Sequence, residues 1–230
     1  MKTIWHISDT HLNHDQLEIP DGIDIVVHTG DATNWRDPFR NEAEMGKFLA
    51  WYSMLDIPTK IFVAGNHDTS LEKGLITKDQ IEACGIHYLF NESIEIEGFK
   101  IWGSPFTPTF GDWSFMKSRA KIGEVWATIP EDTDIILTHG PPKGILDLTW
   151  RTNSQTEMCG DISLLKAVKR IKPKLVAFGH IHNAKDIYNA STKQIAGLDT
   201  IFSNASCVTD GGWGKITSHG NIITLENEDE

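Results

Sequence analysis

With 230 residues, 40% hydrophobic and 23% charged, the chain has a globular composition and fits one large domain, residues 1–230, since a single core remains workable up to roughly 250–300 residues. A net charge of −11 speaks against an extended nucleic-acid surface, because such binding rests on many Lys and Arg contacts to phosphates. No apolar run approaches the ~20 residues that cross a bilayer, and three cysteines without a CxxC pair (Cys84, Cys159, Cys207) argue against a disulfide framework or a zinc knuckle.

In chain order, Thr3–Ser8 is a short apolar run that predicts a buried strand and leads into Asp9-Thr10-His11. The stretch from Met1 to His6 has no long apolar region or cleavage site, so a cytoplasmic, membrane-free setting is expected. Ile23–His28 reads as the next strand and leads into Gly30-Asp31; a helix is expected over Asn41–Leu55. The strand Ile61–Ala64 runs into Gly65-Asn66-His67-Asp68, followed by a helix over Lys78–Cys84. Ile94–Trp102 alternates apolar and polar residues around Glu97-Gly98, which predicts a hairpin with one wet face. A third helix is expected over Phe115–Thr128, although Gly123 interrupts it. Strand Ile135–Thr138 precedes His139-Gly140-Pro141-Pro142, and a helix over Asp161–Ile171 has Asp161 as N-cap and Pro173 as its stop. Leu175–Gly179 leads into His180-Ile181-His182 and Thr200–Asn204 ends at Asn204. A closing hairpin is expected for Trp213–Thr217 against Asn221–Leu225, with the acidic tail Glu226–Glu230 as a solvated end. This alternation predicts an α/β fold with layers around mixed sheets. Asp9, Asp31, Asn66, His139, His180 and Asn204 all fall at or just after the C-terminal ends of strands, the edge where open α/β sheets bind ligands.

Carboxylate, amide oxygen and imidazole together suit Mn, Fe, Zn or Ni better than Mg or Ca, and the lack of cysteine ligands argues against a closed structural zinc site. Asp31, on its tight Gly30 turn, can bridge two ions roughly 3.5–4 Å apart, an arrangement that acidifies a bridging water and clamps the attacking and leaving oxygens at phosphorus. If Asn66 binds metal, His67 is held at the rim, where it can protonate a leaving alkoxide with Asp68 fixing its tautomer. Two divalent cations against two carboxylates, Asp9 and Asp31, would make the site locally positive within an acidic protein.

At these residues the sequence resembles the calcineurin-like metallophosphoesterases, whose pattern D-x-H, G-D, G-N-H-D/E, H, G-H-x-H is matched throughout. The resemblance implies a four-layer α/β/β/α sandwich of two mixed sheets with a dimetal site at their C-terminal edge. It implies that Asp9, His11 and His182 hold one ion, Asn66, His139 and His180 the other, and that Asp31 bridges them. His67 would be the acid for the leaving group, oriented by Asp68. His28-Thr29-Gly30-Asp31, Pro105–Phe115, Thr138–Asp147 and Asn204-Ala205-Ser206 are similar to the MPPED-like (metallophosphoesterase domain-containing) branch. That branch is associated with hydrolysis of cyclic nucleotides, notably 2′,3′-cyclic ones. Asn183-Ala184-Lys185-Asp186 departs from the branch at the rim of the site, which bears on substrate choice. The expected enzyme is a phosphodiesterase for a small phosphodiester, with two divalent ions, manganese first and iron, zinc or nickel as alternatives. A phosphomonoesterase or nuclease on the same scaffold, or a non-catalytic metal-binding interaction module, are the rival readings.

Lesser candidates carry competing readings. Arg119 or Arg151 could grip a phosphate or form exposed ion pairs. Trp113 and Trp150 could stack a nucleobase or pack. Asp147 could hold a ligand imidazole, and His28 either packs at a strand end or supports the ligands. His14, His87 and His219 read as surface or loop residues.

Overall fold

The structure is a computed structural model that describes residues 1–152, 154–210 and 215–226. In chain order its strands are β1 (Lys2–Ile7), β2 (Ile25–His28), β3 (Thr59–Phe62), β4 (His87–Tyr88), β5 (Glu92–Ile96), β6 (Phe99–Ser104), β7 (Thr107–Pro108), β8 (Met116–Lys117), β9 (Ile135–Thr138), β10 (Leu148–Thr152), β11 (Gln155–Met158), β12 (Leu175–Phe178), β13 (Ser191–Ile195), β14 (Leu198–Asn204) and β15 (Asn221–Leu225). The helices are α1 (Pro38–Ser53), α2 (Thr69–Glu72), α3 (Lys78–Glu82), α4 (Gly123–Trp126) and α5 (Ile162–Ile171). Two mixed sheets form the frame, one in the order β15-β1-β2-β3-β4 and the other β13-β14-β12-β9-β6-β5. In each, the inner strands run parallel and an antiparallel strand closes an edge.

The side-chain alternation of the strands sorts the core into three layers. Ile4, Ile25, Val27 and Ile61 of the first sheet meet Ile101, Ile135, Leu137 and Leu175 of the second. Their neighbours Trp5, Val26 and Phe62 face the other way and pack on Met45, Phe48 and Tyr52 of α1. Trp102, Ile136, Val176 and Phe202 face α4 and α5 through Val125, Trp126, Leu164 and Val168. Each fully buried large apolar side chain contributes about 1.5–3 kcal/mol, so both helix-covered faces and the interface between the sheets are firm. The result is the expected α/β/β/α layering.

Local sequence explains the element ends. Asp37 caps α1 by accepting from Arg40 N, with Pro38 at its first position, where proline costs no hydrogen bond. Thr77 and Gln80 form a capping box on α3. Asp161 caps α5 through Leu164 N, and that helix ends at Lys172 in the left-handed region before Pro173. Glu97 and Gly98, both at positive φ, make the β5–β6 turn, as a tight hairpin requires.

Three expectations give way. The helix expected over Phe115–Thr128 shrinks to Gly123–Trp126, because Met116–Lys117 pairs with Thr107–Pro108 instead. The closing hairpin is replaced by pairing of β15 with β1, whose apolar residues continue the layer between the sheets; Trp213, Gly214 and the tail from 227 onward lie outside the described residues. His14 is buried against Phe48 and Trp51 rather than exposed. Among the described residues no helix is long and apolar enough to cross a membrane.

Candidate metal centre

The parallel strands deliver the motifs to one edge. Asp9 follows β1, Asp31 follows β2, Asn66 follows β3, His139 follows β9, and His180 and His182 follow β12. Register makes the meeting possible: β6, β9, β12 and β14 are in parallel register, as are β1, β2 and β3. Asp9, His11, Asp31 and His180 all have φ between 44° and 68°, a region that non-glycine residues occupy at a cost and that clusters at functional sites.

Three overlapping groups of donor atoms result: Asp9, His11 and His182; His11, Asp31 and His67; Asp31, His139 and His180, with the atoms of each group within 4.8 Å of one another. Asp31 is common to the last two. Its Oδ2 lies 3.2 Å from His139 Nε2, 3.9 Å from His11 Nε2 and 4.0 Å from His67 Nε2. Asn66 Oδ1 is 3.0 Å from His139 Nε2, and His182 Nε2 is 3.1 Å from Asp9 Oδ1. All seven residues expected as ligands, with His67, therefore converge on one patch.

The supporting contacts fit a pair of cations. His11 Nδ1 faces Thr33 O at 3.1 Å and Asn34 Oδ1 at 2.9 Å, and His139 Nδ1 faces Thr29 O at 2.7 Å. Oxygen acceptors there place the ring proton on Nδ1 and leave the Nε2 lone pair for an ion. Ser206 Oγ donates to Asp9 Oδ2 at 2.8 Å, and the His180 amide donates to the same carboxylate. Glycines hold the cradle open: a Cβ on Gly65 would sit 2.3 Å from Asp31 Oδ1, and one on Gly179 2.1 Å from Asp9 Oδ2.

Electrostatics agree. Burial opposes ionisation of Asp9 and Asp31, yet the imidazoles of His182 and His139 hold their carboxyl pKa values well below the usual range. Burial would lower the imidazoles too, but Asp31 raises His139 to about 9 and Asp9 raises His182 to about 10. His11 and His180 fall to about 4 and about 3, chiefly through burial. Two buried carboxylates thus draw in positive charge, which protons on two imidazoles supply and which divalent ions can supply instead by displacing them.

Asp68 differs from its expected part. Its Oδ2 accepts from Gly65 N at 2.7 Å and Asp31 N at 3.0 Å, and its Oδ1 from Ala32 N, Thr33 N and Thr33 Oγ1. Both oxygens are spent on Gly65 and the Asp31 loop, and His67 Nδ1 meets Asn34 O at 3.4 Å. Asp147 likewise accepts from Gly144 N and Gly160 N rather than from an imidazole. Asn204 donates to Leu146 O and Ile181 O, fixing the loop that carries His180 and His182. His28, between Thr10 Oγ1 and Gly30 N, ties two motif loops together.

Beside the cluster opens a cleft of about 830 Å³, lined by Phe110, Trp113, His180, Arg119, Lys143 and Met158. Arg119 is tied to the carbonyls of Cys159 and Gly160, and the Trp150 indole donates to Lys185 O. Thr33, Asn34 and Asp210, whose Oδ1 lies 3.2 Å from His182 Nδ1, were not legible as site residues. Ser206 ends the Asn204-Ala205-Ser206 motif, but nothing in the spacing signals that its hydroxyl reaches Asp9.

A carboxylate shared between histidine-rich donor groups at the C-terminal edge of packed sheets is the architecture of dinuclear metallohydrolases. The family model for calcineurin-like phosphoesterases matches residues 2–184, and the chain belongs to that family. It is 33% identical over 227 residues to human metallophosphoesterase domain-containing protein 1, covering 88% of this chain and 65% of that protein. A UPF0046 protein of Caenorhabditis elegans is 37% identical over 194 residues, covering 76% of this chain and 67% of the relative. The chain thus spans about two thirds of the length of these relatives. The crystal structure of phosphopantetheinyl hydrolase from Mycobacterium tuberculosis shares the fold, with TM-score 0.57, 12% identity, and 99% and 98% coverage of this chain and that one.

Proposed function

We propose that residues 1–230 act as one metallophosphoesterase domain that hydrolyses a small phosphodiester, with a 2′,3′-cyclic nucleotide as the leading candidate. The observation that carries this reading is the sharing of Asp31 between the His11/His67 and His139/His180 groups. Asp9, His11 and His182 would hold one divalent ion and Asn66, His139 and His180 the other, with Asp31 between them. Bound there, the ions supply a water acidified enough to attack phosphorus and positive charge against the phosphoryl oxygens. Manganese, iron, zinc or nickel suits the mixed oxygen and nitrogen donors.

The protein's own contribution is to place charge and protons. Asp31 accepts from His67 N at 2.7 Å, which ties the backbone of the proton donor to the carboxylate that would lie between the ions. The His67 ring, with a side chain 11% exposed and Nε2 4.0 Å from Asp31 Oδ2, stands between the cluster and the cleft, where it can protonate a departing oxygen. The cleft volume lies within the roughly 300–1,000 Å³ range of small-molecule sites, and the overall negative charge disfavours a polymeric nucleic acid. Likeness to the metallophosphoesterase domain-containing branch supports a cyclic nucleotide as the diester.

The proton-donor role is tested with His67→Ala. The expected variant keeps two metal ions per chain and loses about 10²-fold or more on 2′,3′-cAMP, whose leaving group is an alkoxide. It loses far less on bis-p-nitrophenyl phosphate, whose nitrophenolate needs no proton. Equal losses on both substrates would remove His67 from that role.

A further inference from the structure

The segment Phe110–Phe115 is fixed to the motif that carries His67. Ser114 N donates to Asn66 O at 3.2 Å, and Phe115 N to Glu72 Oε1 at 2.8 Å. Between these anchors and the cleft, the Trp113 indole lies against the His67 imidazole, with centroids 4.2 Å apart and planes at 35°. The Arg36 guanidinium packs on the same indole, 3.9 Å from its centroid, and donates to Asp112 O at 2.6 Å. His11 meets His67 edge-on at 4.8 Å. Trp113 is also a wall of the cleft. With an imidazole and a guanidinium both against it, the indole has its π surface engaged within the protein, which disfavours the nucleobase-stacking part considered for it from sequence.

We infer that Trp113, backed by Arg36, is a positioning residue that holds the plane of the His67 imidazole so that Nε2 faces the departing oxygen of the substrate. The physical need is clear. The His67 backbone is fixed by its bond to Asp31, and its Nδ1 meets Asn34 O at 3.4 Å, so the ring's two side-chain torsions are what its neighbours must set. A flat aromatic partner 4.2 Å away, its plane tilted by 35°, restricts rotation about them. The Arg36 guanidinium, packed on the indole and bonded to Asp112 O, in turn fixes the indole. The inference rests on the proton-donor reading of His67 for its catalytic consequence, and on geometry alone for the ring's orientation.

The test uses Trp113→Ala, Trp113→Phe and His67→Ala in the full chain, with two readouts. In the metal-free protein, the His67 ring protons are observed by NMR after histidine-selective labelling. Stacking on Trp113 predicts an upfield ring-current displacement that is lost in Trp113→Ala and partly kept in Trp113→Phe. In the manganese-loaded enzyme, kcat on 2′,3′-cAMP is expected to fall about tenfold or more in Trp113→Ala, with kcat on bis-p-nitrophenyl phosphate within about threefold of wild type and partial recovery in Trp113→Phe. No change in the His67 ring shift in Trp113→Ala would overturn the inference, as would a loss confined to KM or equal on both substrates. If the ring shift is lost while His67→Ala shows no leaving-group selectivity, the positioning contact stands and the proton-donor reading fails, so the two are separable.

Discussion

Replacing Asp68 by asparagine separates two parts this residue could play. Its carboxylate takes five donors: Gly65 N and Asp31 N on Oδ2, and Ala32 N, Thr33 N and Thr33 Oγ1 on Oδ1. Burial and the nearby Asp31 charge push its pKa up to about 7, yet five donors leave neither oxygen a place for a proton. An asparagine must set its NH₂ against one of these groups. With the amide turned the better way, Gly65 N and Asp31 N face a donor instead of an acceptor. Two charge-assisted hydrogen bonds are worth about 1.5–3 kcal/mol each; relief from burying a carboxylate offsets part of this, leaving a net loss of about 2–4 kcal/mol. For a chain of this size that lowers Tm by about 4–16 °C. Because those amides set the Asp31 loop, the variant should also bind fewer than two metal ions per chain. Thermal unfolding followed by circular dichroism, with metal content measured after dialysis, reads both effects. A variant with unchanged Tm and full metal content, impaired only on poor leaving groups, would refute the framework role and return Asp68 to the service of His67.

Gly65→Ala would place Cβ 2.3 Å from Asp31 Oδ1 and 2.4 Å from Asp31 N, so the backbone and carboxylate of Asp31 must both shift to restore ordinary contact; phosphodiesterase activity should fall about 10²-fold. Gly46→Ala, at an exposed position of α1 where Cβ meets nothing within 4 Å, should instead stabilise by about 0.5–1 kcal/mol with activity unchanged, and a similar activity loss in both variants would contradict the cradle. Burial lowers the His6 pKa to about 3 despite the opposing Asp9 charge, so the folded protein keeps it neutral while the unfolded chain protonates near 6.5. Stability from this group is present above about pH 6.5 and is lost as pH falls toward 3, by up to ~1.4 kcal/mol per pH unit. His6→Gln, able to hydrogen-bond to Ser203 and Thr29 without titrating, should flatten that slope in urea unfolding between pH 6.5 and 4.5; an unchanged slope would exclude His6 as its source.

The parallel strands and the donors at their ends were legible because one signal served both purposes. A fully buried strand is a short apolar run, and its ligand follows within four residues of the strand's end, as with Ile135–Thr138 before His139. The exposed β10–β11 hairpin and the edge strand β13 gave no such signal, since their side chains are largely solvated and mostly polar. The Phe115–Thr128 segment has helical spacing, but pairing of Met116–Lys117 with Thr107–Pro108 overrides it. Asp68 shows the limit on the site. Its place beside His67 suggested a partner for the imidazole, whereas the amides that claim it lie more than thirty residues away in Asp31, Ala32 and Thr33 as well as in adjacent Gly65. His6, buried between Thr29 and Ser203, was invisible for the same reason.

The most direct measurement is hydrolysis of bis-p-nitrophenyl phosphate and 2′,3′-cAMP by chelator-stripped protein titrated with Mn²⁺, beside Asp31→Asn treated identically. The shared position of Asp31 predicts that wild-type activity returns and saturates at two ions per chain, while the variant binds fewer ions and stays inactive. Two ions bound by the wild type with no turnover of either diester, or full activity in Asp31→Asn, would contradict it.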